Sequence, residues 1–402
     1  MYQVLIEKLD DFGRGIAHIN NKVVFIANAL PEELVEIKII NDKKSYMEAS
    51  VVKYIKLSKD RIESMCPYFE ACGGCSLIHL NYEDTLKFKQ NKIKNLLKKY
   101  KINYDKELEI VKNDNPFYYR NKVSLKIENG HLGYYEENTH KLLEIKECMM
   151  AKHSINEVIK NYQLLNLKDA KLTIRSNYND EILIIIEANA KEYNIELAKL
   201  KEKIKLVGII YNDITIYGEN FFYERINGKL FKVSYNSFFQ INENITNKLF
   251  ALIKNNIDKD STVLDLYSGV GTLGIVASSK AKTVYSIEII KNAVLNGITN
   301  AKLNQKTNIK FMLGDVAKLV DKVNLAFDTV IIDPPRKGLD KKTKEFILKK
   351  LPAKIIYVSC EANTLMRDLK ELENIYEIID YKILDMFSYT YHVENFCVLK
   401  RK

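Results

Sequence analysis

The stretch from Thr262 to Gly274 constrains the fold most. Thr262-Val263-Leu264-Asp265-Leu266 is a short apolar run broken by one acid, followed by the turn Tyr267-Ser268-Gly269-Val270-Gly271-Thr272-Leu273-Gly274 and then a helical pattern. An apolar run of this length with glycines after it reads as a buried strand. A strand that passes through a glycine turn into a helix is half of a βαβ unit, which requires a largely parallel sheet covered by helices. The chain after about residue 238 repeats the unit. Strands are predicted at Thr283–Ile287 ending in Glu288, before Gly314-Asp315, at Phe327–Ile332 running into Asp333-Pro334-Pro335-Arg336-Lys337-Gly338, and at Ile355–Val358 stopped by Ser359-Cys360. A helix capped by Asn363-Thr364 follows Cys360, and the tail from Ile383 to Leu399 supplies final strands around His392-Val393-Glu394.

Open α/β sheets place their chemistry at the carboxyl ends of the strands. Cys360 lies at such an end, although free cysteine is also a common core residue. Gly269, Gly271 and Gly274 fit GxGxxG, where backbone approaches a nucleotide-like ligand, and Glu288 stands where an acid binds ribose hydroxyls. A nicotinamide dehydrogenase is one reading. Asp265 ahead of the glycines, and a rigid Asp-Pro-Pro-Arg loop beside a strand-end cysteine, favour a sulfonium nucleoside and a planar base. The prolines fix the backbone after the strand and so hold Asp333 in place.

The first 56 residues alternate apolar and polar over four or five short strands with turns at Asp11–Gly13, Asn20-Asn21 and Leu30–Glu33, the pattern of a small β-barrel of OB type that binds oligonucleotides or acts as a spacer. Cys66, Cys72 and Cys75 fall within ten residues, with Gly73-Gly74 between the last two, and Cys148 is the nearest fourth thiol. Four thiolates suit zinc, the commoner occupant, or an iron–sulfur cluster. Residues 86–106 carry eight Lys, with Ile93, Leu96, Leu97 and Tyr100 at helical spacing, so an amphipathic helix with a basic face is predicted. Strands are expected near Lys122–Glu128, Leu172–Ser176, Glu181–Ala188 and Leu206–Tyr211. Phe117-Tyr118-Tyr119-Arg120-Asn121-Lys122 mixes rings with cations, which suits base stacking and phosphate contact. The formal net charge of +10 favours an acidic partner, discounted because only 8 of 62 basic residues are Arg. The N-terminus lacks the pattern of a secretory signal and no apolar run is long enough for a bilayer, so a cytoplasmic protein with no membrane partner is expected.

Together these motifs resemble the bacterial RNA uracil-C5 methyltransferases, most closely those acting on 23S ribosomal RNA. The similarity runs nearly end to end: GRGIAHIN (Gly13–Asn20) in the N-terminal barrel, the four cysteines, Phe238-Phe239-Gln240-Ile241-Asn242, the glycine turn, DPPRKGL, VSC and HVE. The resemblance implies a TRAM barrel over 1–56, a central α+β domain over 57–230 whose Cys66, Cys72, Cys75 and Cys148 ligate a [4Fe–4S] cluster, and a Rossmann-like methyltransferase domain over 231–402. The helix at 84–106 is expected to pack on that last domain. It implies S-adenosyl-L-methionine as cofactor, contacted by Gln240, Tyr267, Gly269, Gly271, Thr272, Glu288, Asp315 and Asp333. Cys360 is the implied nucleophile and Glu394 the implied base. It further implies RNA as partner, 23S ribosomal RNA or alternatively transfer RNA, and a monomer. Cys397 and His392 are read as structural. Glu361-Ala362 stands where the family has Asn-Pro and Ser388 where it has Pro, departures that touch no implied catalytic group. A non-catalytic RNA-binding assembly factor is the opposing reading.

Overall fold

A computed structural model describes residues 1–137, 139–319 and 326–402. The chain divides into two compact units. One comprises Met1–Ile93, Tyr135–Leu143 and Phe387–His392; the other comprises Lys94–Tyr134, Glu144–Met386 and Val393–Lys402.

The first unit begins with strands β1 (Tyr2–Leu5), β2 (Lys8–Leu9), β3 (Gly15–Ile19), β4 (Lys22–Ile26), β5 (Leu34–Asp42) and β6 (Tyr46–Lys56) in one sheet of order β1-β5-β6-β4-β3-β2. Asn20 and Asn21 both take positive φ (49° and 63°), as a two-residue hairpin turn between β3 and β4 requires. β3 was not expected; it occupies the GRGIAHIN motif. The alternating inward residues Val4, Ile6, Ala17, Ile19, Val24, Ile26, Val35, Ile37 and Ala49 form the core. The expected barrel does not close, because among the described residues no ladder joins β1 to β2. The two are halves of one segment that changes partner: the Ile6 N–H donates to Glu33 O and the Glu7 N–H to Ile16 O, both at 2.9 Å. Bulges at three points of the β5–β6 ladder bend the sheet without completing it. Glu33, fully buried, receives two hydrogen bonds from Arg61 and one from the Leu30 N–H.

Helix α1 (Tyr82–Tyr100) is the predicted amphipathic helix, with Leu86, Ile93, Leu96 and Leu97 buried. It ends six residues short of the expected 106, at Lys101 in the left-handed region (φ 54°), where the Ile102 N–H donates back to Leu97 O. Its lysines are not a uniform basic face. Lys89 is buried and its Nζ donates to Phe387 O at 2.8 Å; Lys92 Nζ donates to Asp11 O and Tyr391 O. Those cations fix loops of their own unit.

The second unit holds the other sheets. β7 (Glu109–Val111), β8 (Lys122–Glu128) and β9 (His131–Tyr135) come first, then the short β10 (Leu142–Glu144), β11 (Ala170–Ser176), β12 (Glu181–Ala188), β13 (Lys205–Tyr211) and β14 (Ile214–Gly218). Strands β9-β8-β11-β12-β13-β14 lie side by side, with helices α2 (His153–Lys160) and α3 (Leu197–Lys203) packed on them. A hairpin, β15 (Phe221–Ile226) and β16 (Lys229–Ser234), precedes α4 (Glu243–Asn256). The last sheet contains β17 (Thr262–Leu266), β18 (Thr283–Glu288), β19 (Ile309–Leu313), β20 (Thr329–Ile332), β21 (Lys354–Ser359), β22 (Tyr376–Leu384) and β23 (Glu394–Arg401) in the order β19-β18-β17-β20-β21-β23-β22, with β7 as an eighth strand beyond β22. β17 to β21 are parallel, as the repeated unit predicts, and β23 runs antiparallel between β21 and β22. Helices α5 (Thr272–Ala277), α6 (Lys291–Leu303), α7 (Val316–Leu319), α8 (Lys341–Lys350) and α9 (Ala362–Leu372) connect the strands. Two boundaries differ from expectation. β22 begins at Tyr376, and only Glu394 of His392-Val393-Glu394 lies in a strand. α9 begins at Ala362, with the Glu361 side chain accepting from the Asn363 N–H, rather than being capped by Asn363-Thr364. Strand order reverses between β17 and β20, so the crevice at the carboxyl ends of these two strands is the place for a ligand.

Candidate active site

The glycine turn is held by its neighbours. Gly269 and Gly271 have positive φ (55° and 84°), and a Cβ on Gly271 would sit 2.8 Å from the Phe311 ring. A Cβ on Gly274 would lie 2.6 Å from both Asp265 Oδ2 and Ser286 Oγ, so only glycine lets α5 close on β17 and β18 at this point. Glu288, at the end of β18, accepts from the Gly269 N–H (2.9 Å) and the Ile290 N–H (2.8 Å). Tyr267, itself at φ 60°, donates to Asp340 Oδ2 at 3.2 Å. Burial tends to raise the Asp340 carboxyl, but hydrogen bonds from Thr343 and Tyr267 outweigh it and hold the group below its ordinary value.

A cleft opens above these strands, lined in part by Gln240, Asp265, Tyr267, Ser268, Gly269, Thr272 and Asp333. Two buried polar atoms at its wall, Asp265 Oδ1 and Ser268 Oγ, have no hydrogen-bond partner among the described residues. Such atoms are costly unless a ligand satisfies them. Burial lifts the Asp265 carboxyl to about 7, despite the hydrogen bond from Ser286 Oγ at 3.1 Å. Gly271 and Asp315 do not line the cleft: Gly271 sets the turn, and the Asp315 carboxylate accepts from the Ala317 N–H at 3.0 Å at the start of α7.

Cys360 directly follows β21, and Glu394 opens β23, its antiparallel neighbour. Ser359 pairs with Asn395, so the next residue of one strand faces the previous residue of the other. Glu394 is buried, and its carboxyl is raised well above the usual carboxylate range by burial and by the nearby charge of Asp333; Asp333 is raised by burial too. Burial, then the charges of Glu394 and Asp333, push the half-buried Cys360 thiol up to about 11, while Arg336 acts in the opposite direction. The structure therefore gathers a thiol and protonatable carboxyls at neighbouring strand ends.

Several supporting residues escaped the sequence reading. Tyr381 OH donates to Asn395 Oδ1 (2.8 Å) and Asn395 Nδ2 donates to Ser359 O (2.8 Å), which fixes the strand ends carrying Cys360 and Glu394. Asp368, fully buried on α9, accepts from the Leu339 N–H and from Tyr357 OH, both at 2.8 Å, and so ties the proline loop to the helix after Cys360. A Cβ on Gly338 would lie 2.6 Å from that carboxylate. Arg175, buried, donates through Nη1 to the carbonyls of Ser234, Tyr235 and Ser237 and shapes the turn into Phe238-Phe239-Gln240. Asn296 and Asn300 on α6, and Asn304 just past its end, repeat every four residues. The first bonds Ser234, and Asn300 Nδ2 also holds Val270 O of the glycine turn at 3.0 Å. That spacing was visible in the sequence and marks one helix face. Ile289 and Ile290, just beyond β18, and Leu313, the last residue of β19, are exposed and apolar. Cys397 is buried in β23, as expected for a core thiol.

Cys66, Cys72 and Cys75 belong to the first unit and Cys148 to the second, all half-buried. Among the described residues no three cysteine, histidine or carboxylate side chains come together as a metal site. The thiol donor set is of the kind that suits a cluster.

The family model described as tRNA (Uracil-5-)-methyltransferase matches residues 81–402, and the TRAM domain model matches residues 1–52. The chain belongs to the tRNA (uracil-5-)-methyltransferase family. As a member it is an S-adenosylmethionine-dependent RNA (uracil-5-)-methyltransferase with an N-terminal TRAM domain. An RNA methyltransferase of Clostridium acetobutylicum is 33% identical over 100% of this chain and 97% of its own length. One from Thermotoga maritima is 32% identical over 98% and 97%. In fold, the chain is similar to the tRNA (uracil-54, C5)-methyltransferase of Pyrococcus abyssi in complex with S-adenosyl-L-homocysteine, with TM-score 0.82, 24% identity, and coverage of 99% and 100%. No helix among the described residues is long and apolar enough to cross a membrane.

Proposed function

We propose that the protein methylates carbon 5 of a uracil in 23S ribosomal RNA through a covalent adduct between Cys360 and carbon 6 of the ring. The observation that carries this reading is the register that sets Cys360 and Glu394 on adjacent strand ends beside Asp333. In the cleft, Asp265 Oδ1 and Ser268 Oγ offer partners to the amino-acid end of the cofactor; beyond its lining, Glu288 at the end of β18 offers a carboxylate for the ribose, and the exposed, apolar Ile289 and Leu313 a surface for the adenine. Tyr267, Gly269, Gly271 and Thr272 shape the turn beneath it; Asp315, outside the cleft lining, is assigned to the adenine on the family resemblance alone. When bound, S-adenosylmethionine supplies an electrophilic methyl group.

The protein's residues do the remaining work. The target base must leave its stack to enter the crevice. Cys360 gives up its proton to solvent, helped by the Arg336 charge. Its sulfur then bonds to carbon 6, and the π electrons of the C5–C6 bond move toward the C4 oxygen, which makes carbon 5 a nucleophile for the methyl group. Gln240 and Asp333 face the uracil edge and the methionine part. Ionised Glu394 then takes the proton from carbon 5; the double bond re-forms and expels Cys360. Because burial raises the Glu394 carboxyl, this last step should accelerate as pH rises.

Transfer RNA is the second reading, favoured by the description of the family and by the Pyrococcus abyssi relative in fold. The four cysteines are proposed to hold a [4Fe–4S] cluster, supported by their resemblance to the family's ligands. The division at 1–56, 57–230 and 231–402 belongs to the same proposal, with the protein acting as a monomer in the cytoplasm. The test is transfer of tritiated methyl to RNA, with 5-methyluridine mapped in ribosomal and transfer RNA from cells with and without the gene. Loss of the modification from 23S ribosomal RNA supports the first reading and loss from transfer RNA the second. No transfer at all would favour an RNA-binding assembly factor.

A further inference from the structure

A second recess, of about 300 Å³, is lined by Asn115, Phe117, Tyr118 and Tyr119 on one side and by the first turns of α4 on the other, and among the described residues it shares no lining residue with the cleft above β17. Its walls are fixed. The Tyr118 N–H donates to Met149 O and the Arg120 N–H to Met150 O (both 2.8 Å), and the Asn121 N–H donates to Ile241 O at 3.0 Å. The segment is thus bonded on two sides, and its second attachment is the stretch that carries Gln240.

Tyr118 is held at φ 52°, a conformation that bulky residues rarely adopt. Its ring lies against His153, centroids 4.0 Å apart and planes at 26°. Strain of this kind persists where the surroundings impose it, and such residues cluster at binding sites.

The polar groups of the recess select a neutral planar ligand. It carries one cation, Lys152, and one anion, Glu243. Lys152 Nζ donates to Asn177 O at 2.7 Å and lies 3.8 Å from Asp180, so its charge is already engaged. There is no surplus of positive charge to hold a phosphate. The rest of the lining is aromatic rings with amides beside them. The exposed Asn115 side chain makes no hydrogen bond among the described residues. Asn247 Oδ1 accepts from the Asn227 N–H at 2.9 Å, which leaves its NH₂ available. A carboxamide offers a donor and an acceptor side by side, matching the edge of a nucleobase, and rings supply the sequence-tolerant stacking face.

We propose that this recess binds an unstacked nucleobase of the substrate RNA other than the uracil that is methylated. The inference rests on the RNA reading above and deepens it: a loop that delivers one base to Cys360 places a second base here, which sets the register of the RNA on the enzyme.

The probe is a fluorescein-labelled RNA hairpin with a seven-nucleotide loop containing uridine, and the same hairpin with an abasic residue at each loop position in turn. Binding is read by anisotropy on the full-length protein. The wild type should lose about tenfold in affinity at one abasic position besides the target uridine, the loss expected for one stacked base. Phe117→Ala should bind the intact hairpin about tenfold more weakly and lose nothing further at that position, with unchanged affinity for S-adenosylhomocysteine. Asn115→Ala, at an exposed side chain, repeats the test should Phe117→Ala not fold, with a smaller loss at the same position. If every abasic position costs the variants as much as it costs the wild type, the recess does not hold a base. Binding of the hairpin unaffected by either substitution would overturn the proposal equally and point to a protein segment as occupant. Methyl transfer to the intact hairpin is followed separately, so failure of the uracil reading appears as absent transfer without altering the binding comparison.

Discussion

Replacing Asp265 by Asn should change how stability depends on pH. Asp265 is 1% exposed; among the described residues its carboxyl receives one side-chain hydrogen bond, from Ser286, and its Oδ1 has no partner. Burial moves it from 3.8 to about 7. The unfolded chain therefore loses this proton near 3.8 and the folded chain near 7. Between those values the folded state binds more protons, so the stability due to this group is complete below 3.8 and is lost as pH rises through about 7. The slope is about 1.4 kcal/mol per pH unit, or about 4 kcal/mol across the window. Asn cannot titrate, so the Asp265→Asn variant should show a pH profile shallower by about that slope, whatever the fixed cost of the altered hydrogen bond. The assay is urea unfolding followed by far-ultraviolet circular dichroism at several pH values from about 4.5 to 6.5. The comparison of slopes cancels every other titrating group to first order. Parallel profiles for the two proteins would refute the claim that this buried carboxyl titrates near neutrality.

Two further outcomes follow from particular contacts. Asp368→Ala should lower unfolding free energy by about 3 kcal/mol, because the Tyr357 hydroxyl and the Leu339 N–H lose a buried acceptor; denaturant titration measures it, with Asp368→Asn expected to lie between. Protein purified without oxygen should be brown, with about four iron and labile sulfide per chain, and lose both on substitution of Cys148 by Ser; stoichiometric zinc without sulfide would give the cysteines a different metal.

The parallel sheet was legible because βαβ units announce themselves twice, in short apolar runs and in the glycine turns between them. Thr262–Leu266, Thr283–Ile287 and Ile355–Val358 all lie in strands for that reason. The open edge of the N-terminal sheet was not legible, since it depends on one segment changing partner at Ile6-Glu7, which leaves no trace in apolar alternation. Nor does composition distinguish a solvated lysine from Lys89, whose stem is buried and whose ammonium meets a carbonyl far away in sequence. The site residues at strand ends could be located from motifs, whereas Asn395, Asp368 and Arg175 hold them through contacts between distant segments. Only the Asn296-Asn300-Asn304 spacing was a local signal that could have been read. Asp315, by contrast, sits beyond a strand end as expected and uses its carboxylate on its own backbone.

The most direct test of the central claim compares Cys360→Ala with Glu394→Gln on a denaturing gel, using labelled RNA and methyl-labelled cofactor. Cys360→Ala should bind cofactor but give neither adduct nor methylated RNA. Glu394→Gln should give a covalent protein–RNA species that already carries the methyl label, because addition and transfer precede the removal of the carbon-5 proton. An adduct in Cys360→Ala would place the nucleophile elsewhere, and full turnover by Glu394→Gln would contradict its role as the base.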